Sequence, residues 1–179
     1  MSPAVTIAAQ PTQRRTLADQ VILILAGAGA VALSAKIMLP IGPVPITAQT
    51  LAVLLVGALL GPTAGTMSIL TYLAAGTAYP ALFAIPLGLV GPTGGYLIGF
   101  APAACLTGAL IARGWGRSQI LTLAALLAGL APIFILGVPW LMIYTRSVGG
   151  ALWDGLIVCL PGAALKVALA GLVIRRRWH

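Results

Sequence analysis

Between Lys36 and Arg113 the chain carries not one Asp, Glu, Lys or Arg. A charge-free run of that length holds three membrane spans of about 20 residues each. Soluble domains charge roughly a quarter of their residues, whereas here 7% are charged and 60% are hydrophobic. The 179 residues are therefore read as an all-α integral membrane protein with a single membrane domain. In that reading residues 1–16 form a cytoplasmic N-terminal segment, 17–174 a six-helix bundle and 175–179 a basic cytoplasmic tail.

The net charge of +8 does not indicate a nucleic-acid partner, because the basic residues cluster at the ends of hydrophobic segments instead of along one face. Such clusters mark cytoplasmic loops. Six helices are predicted: Leu17–Ala35, Thr47–Leu60, Pro62–Ala75, Gly94–Arg113, Gln119–Tyr144 and a last one ending near Val173. Proline and glycine punctuate them, at Leu39-Pro40-Ile41-Gly42-Pro43, Gly61-Pro62 and Gly91-Pro92. Pro132 and Pro139 predict a kink in the fifth helix, and Pro161-Gly162 a division of the sixth into a lead-in and a main span. With the N-terminus inside, Arg14, Arg15, Arg113, Arg117, Arg175, Arg176 and Arg177 fall on the cytoplasmic side, and only Lys36 and Arg146 fall outside. That bias favours an even number of spans with both termini cytoplasmic. Arg14-Arg15 ahead of an apolar run ending in Ala30-Val31-Ala32 has the outline of a signal peptide. Because the rest of the chain is as hydrophobic, the segment is read as a retained first helix.

Gly61-Pro62-Thr63-Ala64-Gly65 and Gly91-Pro92-Thr93-Gly94-Gly95 look alike, but their flanks do not. The likeness is read as one helix-start chemistry used twice, not as a duplication. Cys105 and Cys159 lie in apolar stretches without metal-ligand spacing, and both are read as small buried packing residues.

Catalytic groups are scarce. The one histidine is His179, and the two carboxylates, Asp19 and Asp154, do not form an acid–base pair or a metal site. Gly91–Gly95 lacks the lysine of a phosphate-binding loop, so the chain is not expected to hydrolyse ATP. No catalytic residue, metal or cofactor is assigned. Asp154 precedes Lys166 by about 18 Å along a continuous helix, too far for direct pairing. The expectation is a protein that binds something, with energy for transport supplied by a partner.

Lys166 carries most of the binding argument. It lies about 14 Å along the helix from Arg175, near the bilayer centre, where an ionised lysine costs some 2.5 kcal/mol or more and faces a cavity or a partner. A snorkelling lysine is the alternative. Two further segments, Pro43–Gln49 and Gly91–Tyr96, lead into helices at the predicted exterior mouth. Helix starts offer unpaired N–H groups to a carbonyl or carboxylate, and glycines allow close approach. Capping by Thr47 and Thr93 explains these segments equally well. Ala26, Ala30 and Ser34 recur four apart on the first helix, a small-residue stripe that fits a docking face for another membrane subunit.

At these residues the chain resembles a known family. Pro43-Val44-Pro45-Ile46-Thr47-Ala48-Gln49-Thr50-Leu51, Leu60-Gly61-Pro62, Tyr72-Leu73-Ala74-Ala75-Gly76 and Gly91-Pro92-Thr93-Gly94-Gly95-Tyr96-Leu97-Ile98-Gly99-Phe100 look like the BioY family, the biotin-specific S components of energy-coupling-factor transporters. The resemblance runs from about Ala35 to Lys166. It implies six helices, a biotin pocket towards the exterior, a coupling subunit docked on Ala26, Ala30 and Ser34, cytoplasmic ATPase subunits, and residence in the bacterial inner membrane. Lys166 is expected to meet a polar end of biotin, with Thr47, Gln49, Thr93, Gly94 and Tyr96 lining the outer pocket. The family's Pro-Gly-Asp-x-x-Lys pattern reads Pro161-Gly162-Ala163-Ala164-Leu165-Lys166, so the lysine matches and alanine replaces the aspartate. Tyr79-Pro80 departs as well, where a glycine before the proline is usual.

Overall fold

The computed structural model describes residues 16–178, with side chains through residue 175. Arg14, Arg15, His179 and the side chains of Arg176 and Arg177 lie outside the described residues, as does the predicted N-terminal segment up to Thr16.

Helix α1, Leu17–Ser34, opens on a capping box. The Thr16 hydroxyl accepts from Asp19 N–H, and the Asp19 carboxylate accepts from Thr16 N–H at 3.0 Å. Each satisfies a donor that the helix start leaves unpaired. After α1, prolines 40, 43 and 45 exclude helix. The chain instead forms a two-residue antiparallel ribbon, absent from the all-helical expectation, of β1 (Met38–Leu39) and β2 (Ile46–Thr47). Helix α2 accordingly starts at Gln49 and not at Thr47, because Thr47 is paired opposite Met38.

Helix α2, Gln49–Ala78, is not straight. Gly61 sits at φ 85°, ψ 177°, a backbone region essentially reserved for glycine, and Pro62 follows with no N–H to continue the ladder. Gln49 Nε2 donates to Tyr72 Oη at 2.7 Å, although a straight helix would separate those residues by about 35 Å. The chain therefore doubles back at Gly61 into two antiparallel limbs. Their crossing is glycine on glycine, since a Cβ at Gly65 would lie 2.9 Å from Gly57 Cα. The similar Gly91 segment adopts φ −87°, ψ −173° and reverses nothing, so the two look-alike strings are different local structures.

Helix α3, Gly94–Ala112, is the most enclosed of the long helices and α1 the least. Gly114, at φ +94°, turns the chain through a short 3-10 segment, Trp115–Arg117, into α4, Gln119–Thr145. Helix α4 continues across Pro132 and Pro139. The final segment is divided, as Pro161-Gly162 suggested, into α5 (Val148–Leu152), a π-helical turn (Trp153–Ile157) and α6 (Leu160–Trp178). Helix α6 runs past the expected end near Val173, so residues 175–178 of the predicted tail are helical.

Among the described residues, five segments are long and apolar enough to cross a membrane: Leu17–Ser34, Gln49–Ala78, Gly94–Ala112, Gln119–Thr145 and Val148–Arg175. Large apolar side chains such as Leu17, Ile22, Ile120, Ile135 and Ile143 face outward. Water does not tolerate so large an apolar surface, whereas lipid requires it. The same inversion corrects the cysteines. Cys105 is exposed on α3, and Cys159 is half-buried. An apolar sequence context does not separate interior from lipid-facing positions in such a chain.

Candidate ligand cavity

The first limb of α2, the starts of α3 and α6 and the middle of α4 enclose a cavity. It holds about 620 Å³ not occupied by atoms, counting solvent at its mouth. Thr47, Gln49, Thr93, Tyr96 and Lys166, drawn from three separate parts of the sequence, share its wall. Phe100, Ile133, Phe134 and Cys159 supply apolar wall that sequence reading did not assign to the site. Phe134 meets Tyr96 edge-on, with ring centroids 6.2 Å apart. Nothing local marks these residues, because an aromatic in a membrane helix reads the same whether it lines a cavity or a core.

Lys166 is half-buried and makes no hydrogen bond or ion pair with another described residue. Ala163, 3% exposed, lies one turn before it on the same wall. The ammonium group therefore reaches the cavity without a neighbouring carboxylate. Gln49 is also nearly sequestered, at 3% exposure, and its amide group donates to Tyr72. Phe83 packs edge-on against Tyr72, with centroids 5.6 Å apart. The Lys36 ammonium donates to the carbonyls of Ala81 and Phe83, the latter at 3.2 Å. The loop after α2 is thus tied to the end of α1 above the cavity.

The threonines do not act as ordinary caps. Thr93 occupies the N-cap position of α3 but forms no side-chain cap bond, and Thr47 Oγ1 accepts only a long 3.4 Å contact from Gln49 N–H. Tyr96 is on the wall through its ring, because its hydroxyl donates to Gly155 O at 2.9 Å. That bond joins α3 to the π turn. Gly94 is off the wall. A Cβ there would strike the Leu89 carbonyl and lie 2.9 Å from the Trp140 ring, whose Nε1 donates to Gly91 O at 2.9 Å. Gly94 and Gly95 thus allow α3 to meet α4 closely, and neither is among the residues that line the cavity. Ala26 and Ala30 are exposed, and Ser34 is half-exposed with its hydroxyl donating to Val31 O.

A bundle of apolar helices around a cavity with one unpaired lysine and an aromatic floor defines a membrane-embedded small-molecule-binding protein. Comparison with known proteins specifies which kind. The chain belongs to the BioY family, whose model matches residues 6–179. It is 36% identical over 150 residues to the biotin transporter BioY of Thermotoga maritima, covering 82% of this chain and 88% of that one. It is 37% identical over 165 residues to the probable biotin transporter BioY of Pyrococcus horikoshii, covering 89% and 96%. Its fold superposes on the crystal structure of the S-component for biotin from an ECF-type ABC transporter with a TM-score of 0.79, at 25% identity, covering 89% of this chain and 90% of that one.

Proposed function

We propose that this chain is the substrate-binding membrane subunit of a biotin uptake system, working with an energy-coupling-factor module that hydrolyses ATP elsewhere. The observation that carries this reading is the convergence of Lys166 with Thr47, Gln49, Thr93 and Tyr96 on one cavity, in a chain whose relatives are biotin transporters. Biotin is an anion with a polar ring at the other end and an aliphatic middle. The cavity offers a cation, hydroxyl and amide groups, and aromatic walls. Lys166 meets one polar end, and Thr47, Gln49 and Thr93 serve the outer part, with Tyr96 as a rigid ring surface. Gly94 supports this wall from behind. Because Ala163 replaces the family's aspartate, the charge of Lys166 is not compensated from within the site, which favours an anionic ligand.

The chain crosses the bacterial cell membrane six times with both termini in the cytoplasm. Doubling back at Gly61 supplies the sixth crossing, because Gln49 and Tyr72 meet at one end while Gly61 lies at the other. Lys36 and Arg146 then share the exterior with the cavity mouth, and Arg113, Arg117 and Arg175 the cytoplasmic side. The exposed stripe of Ala26 and Ala30, continued by Ser34, is the face on which the coupling subunit docks.

Equilibrium binding of biotin to the purified protein in detergent, with thiamine and riboflavin as controls, tests the proposal. Saturable, biotin-selective binding supports it. Well-folded protein that binds another vitamin in preference would assign the site to that vitamin and give the alanine at position 163 a role in specificity.

A further inference from the structure

Away from the ligand cavity, at the end of the bundle that carries Arg113, a second pocket lies where α6 packs against the Trp115–Arg117 turn. It holds about 380 Å³ not occupied by atoms, counting solvent at its mouth, and is lined by Gly116, Arg117, Gln119, Thr122 and Arg175. The two arginines, one in the turn between α3 and α4 and one near the end of α6, are both exposed and both line this space. Arg175 is held in place, its Nη1 donating to Gln119 Oε1 at 3.2 Å. Neither arginine forms an ion pair with a described residue. Thr122 is almost fully buried, and its hydroxyl is already committed to the Trp115 and Ser118 carbonyls at 3.1 and 2.8 Å. The side-chain donors left for an occupant are therefore the two guanidinium groups and the Gln119 amide nitrogen. The first turn of α4 adds to the positive field, since Ser118 at its N-cap makes no side-chain cap bond.

We propose that this pocket binds a phosphate-bearing anion, either the headgroup of an anionic phospholipid or soluble phosphate. Two guanidinium groups line this one space, and arginine binds phosphate oxygens bidentately. Their place supports the assignment too. The Trp115–Arg117 turn joins two membrane-spanning helices at the bilayer surface, where basic pockets between helices take anionic headgroups. None of these residues lines the ligand cavity, so the site is separate from biotin binding.

The test follows the melting temperature of the full-length protein in neutral detergent while short-chain phosphatidylglycerol, phosphatidylcholine of the same chain length, or inorganic phosphate is added. A ligand that binds only the folded state raises that temperature. Saturable stabilisation by phosphatidylglycerol but not by phosphatidylcholine is expected. If inorganic phosphate stabilises equally, the site stands with a soluble source; if it does not, the source is the lipid. R117Q/R175Q should weaken phosphatidylglycerol binding roughly tenfold or more. Arg113→Gln removes one charge from the same end outside the pocket and should change binding less than about twofold. Should the double variant not fold, Arg175→Lys keeps the charge but loses the fork, and should weaken binding several-fold. Equal stabilisation by the two lipids would overturn the site, as would loss of the effect in Arg113→Gln as complete as in the pocket variants.

Discussion

Lys166 enters the cavity with no carboxylate beside it, because the position one turn earlier is Ala163. A charge-assisted hydrogen bond to a ligand contributes about 1.5–3 kcal/mol. Lys166→Met, which keeps the apolar stem, should therefore weaken biotin binding roughly tenfold to a hundredfold in equilibrium titration. Its melting temperature without ligand should stay close to that of the parent, since the ammonium group has no protein partner to lose. Tyr96→Phe separates a different effect. It keeps the ring on the cavity wall but removes the bond to Gly155 O. Leaving that carbonyl unpaired should lower stability by about 1 kcal/mol, read from the same melts. Lys166 was legible as a residue needing explanation, because a lysine in mid-span is costly wherever it points. Phe134 and Cys159 were not, since their placement depends on which side of α4 and of the α6 lead-in faces inward.

At the scale of elements, glycine does two separable jobs. Gly61 has open space around its Cβ position but a backbone conformation closed to other residues. Gly57 has ordinary helical neighbours but no room, because a Cβ there would lie 2.8 Å from Ala104 Cα. Gly61→Ala should thus destabilise by strain of about 1–3 kcal/mol. Gly57→Ala should act by pushing α2 and α3 apart, and because the atoms it meets are the backbone of Ala104, an added Ala104→Gly should not restore the lost melting temperature. The Gly61-Pro62 break, and the two successive helices either side of it, were visible in the sequence, whereas the close packing of the two limbs on each other was not. A glycine–proline pair announces an interruption, and the Gln49–Tyr72 contact shows which faces of the two limbs meet. The ribbon of Met38–Leu39 with Ile46–Thr47 escaped the helical reading for a related reason. Two-residue strands have no periodicity to detect.

For the molecule as a whole, the even count of crossings is the reading most open to direct test. With Cys105 and Cys159 replaced by serine, single cysteines at Gly149 and Ser118 report on opposite ends of α4. A membrane-impermeant maleimide applied to intact cells should label the cysteine at 149 and leave the one at 118 unlabelled until the cells are opened. Labelling of both from outside, or of 118 alone, would overturn the orientation. Biotin should protect neither position, because both lie outside the cavity lining.

From sequence alone came the membrane, the helices and the chemistry on offer. Hydropathy, charge placement and proline positions are local quantities, and the bilayer turns them directly into spans because each helix satisfies its own backbone. The family followed from ordered motifs around Thr47 and Thr93. Which side chains share a cavity was decided only by the tertiary structure. In lipid, apolar helices have no hydrophobic pattern to say which face turns inward, so close glycine contacts and a few polar bonds set the rotation of each helix. That rotation brought Lys166, Thr47 and Thr93 onto one wall, turned Gly94 away from it, and left Cys105 facing outward.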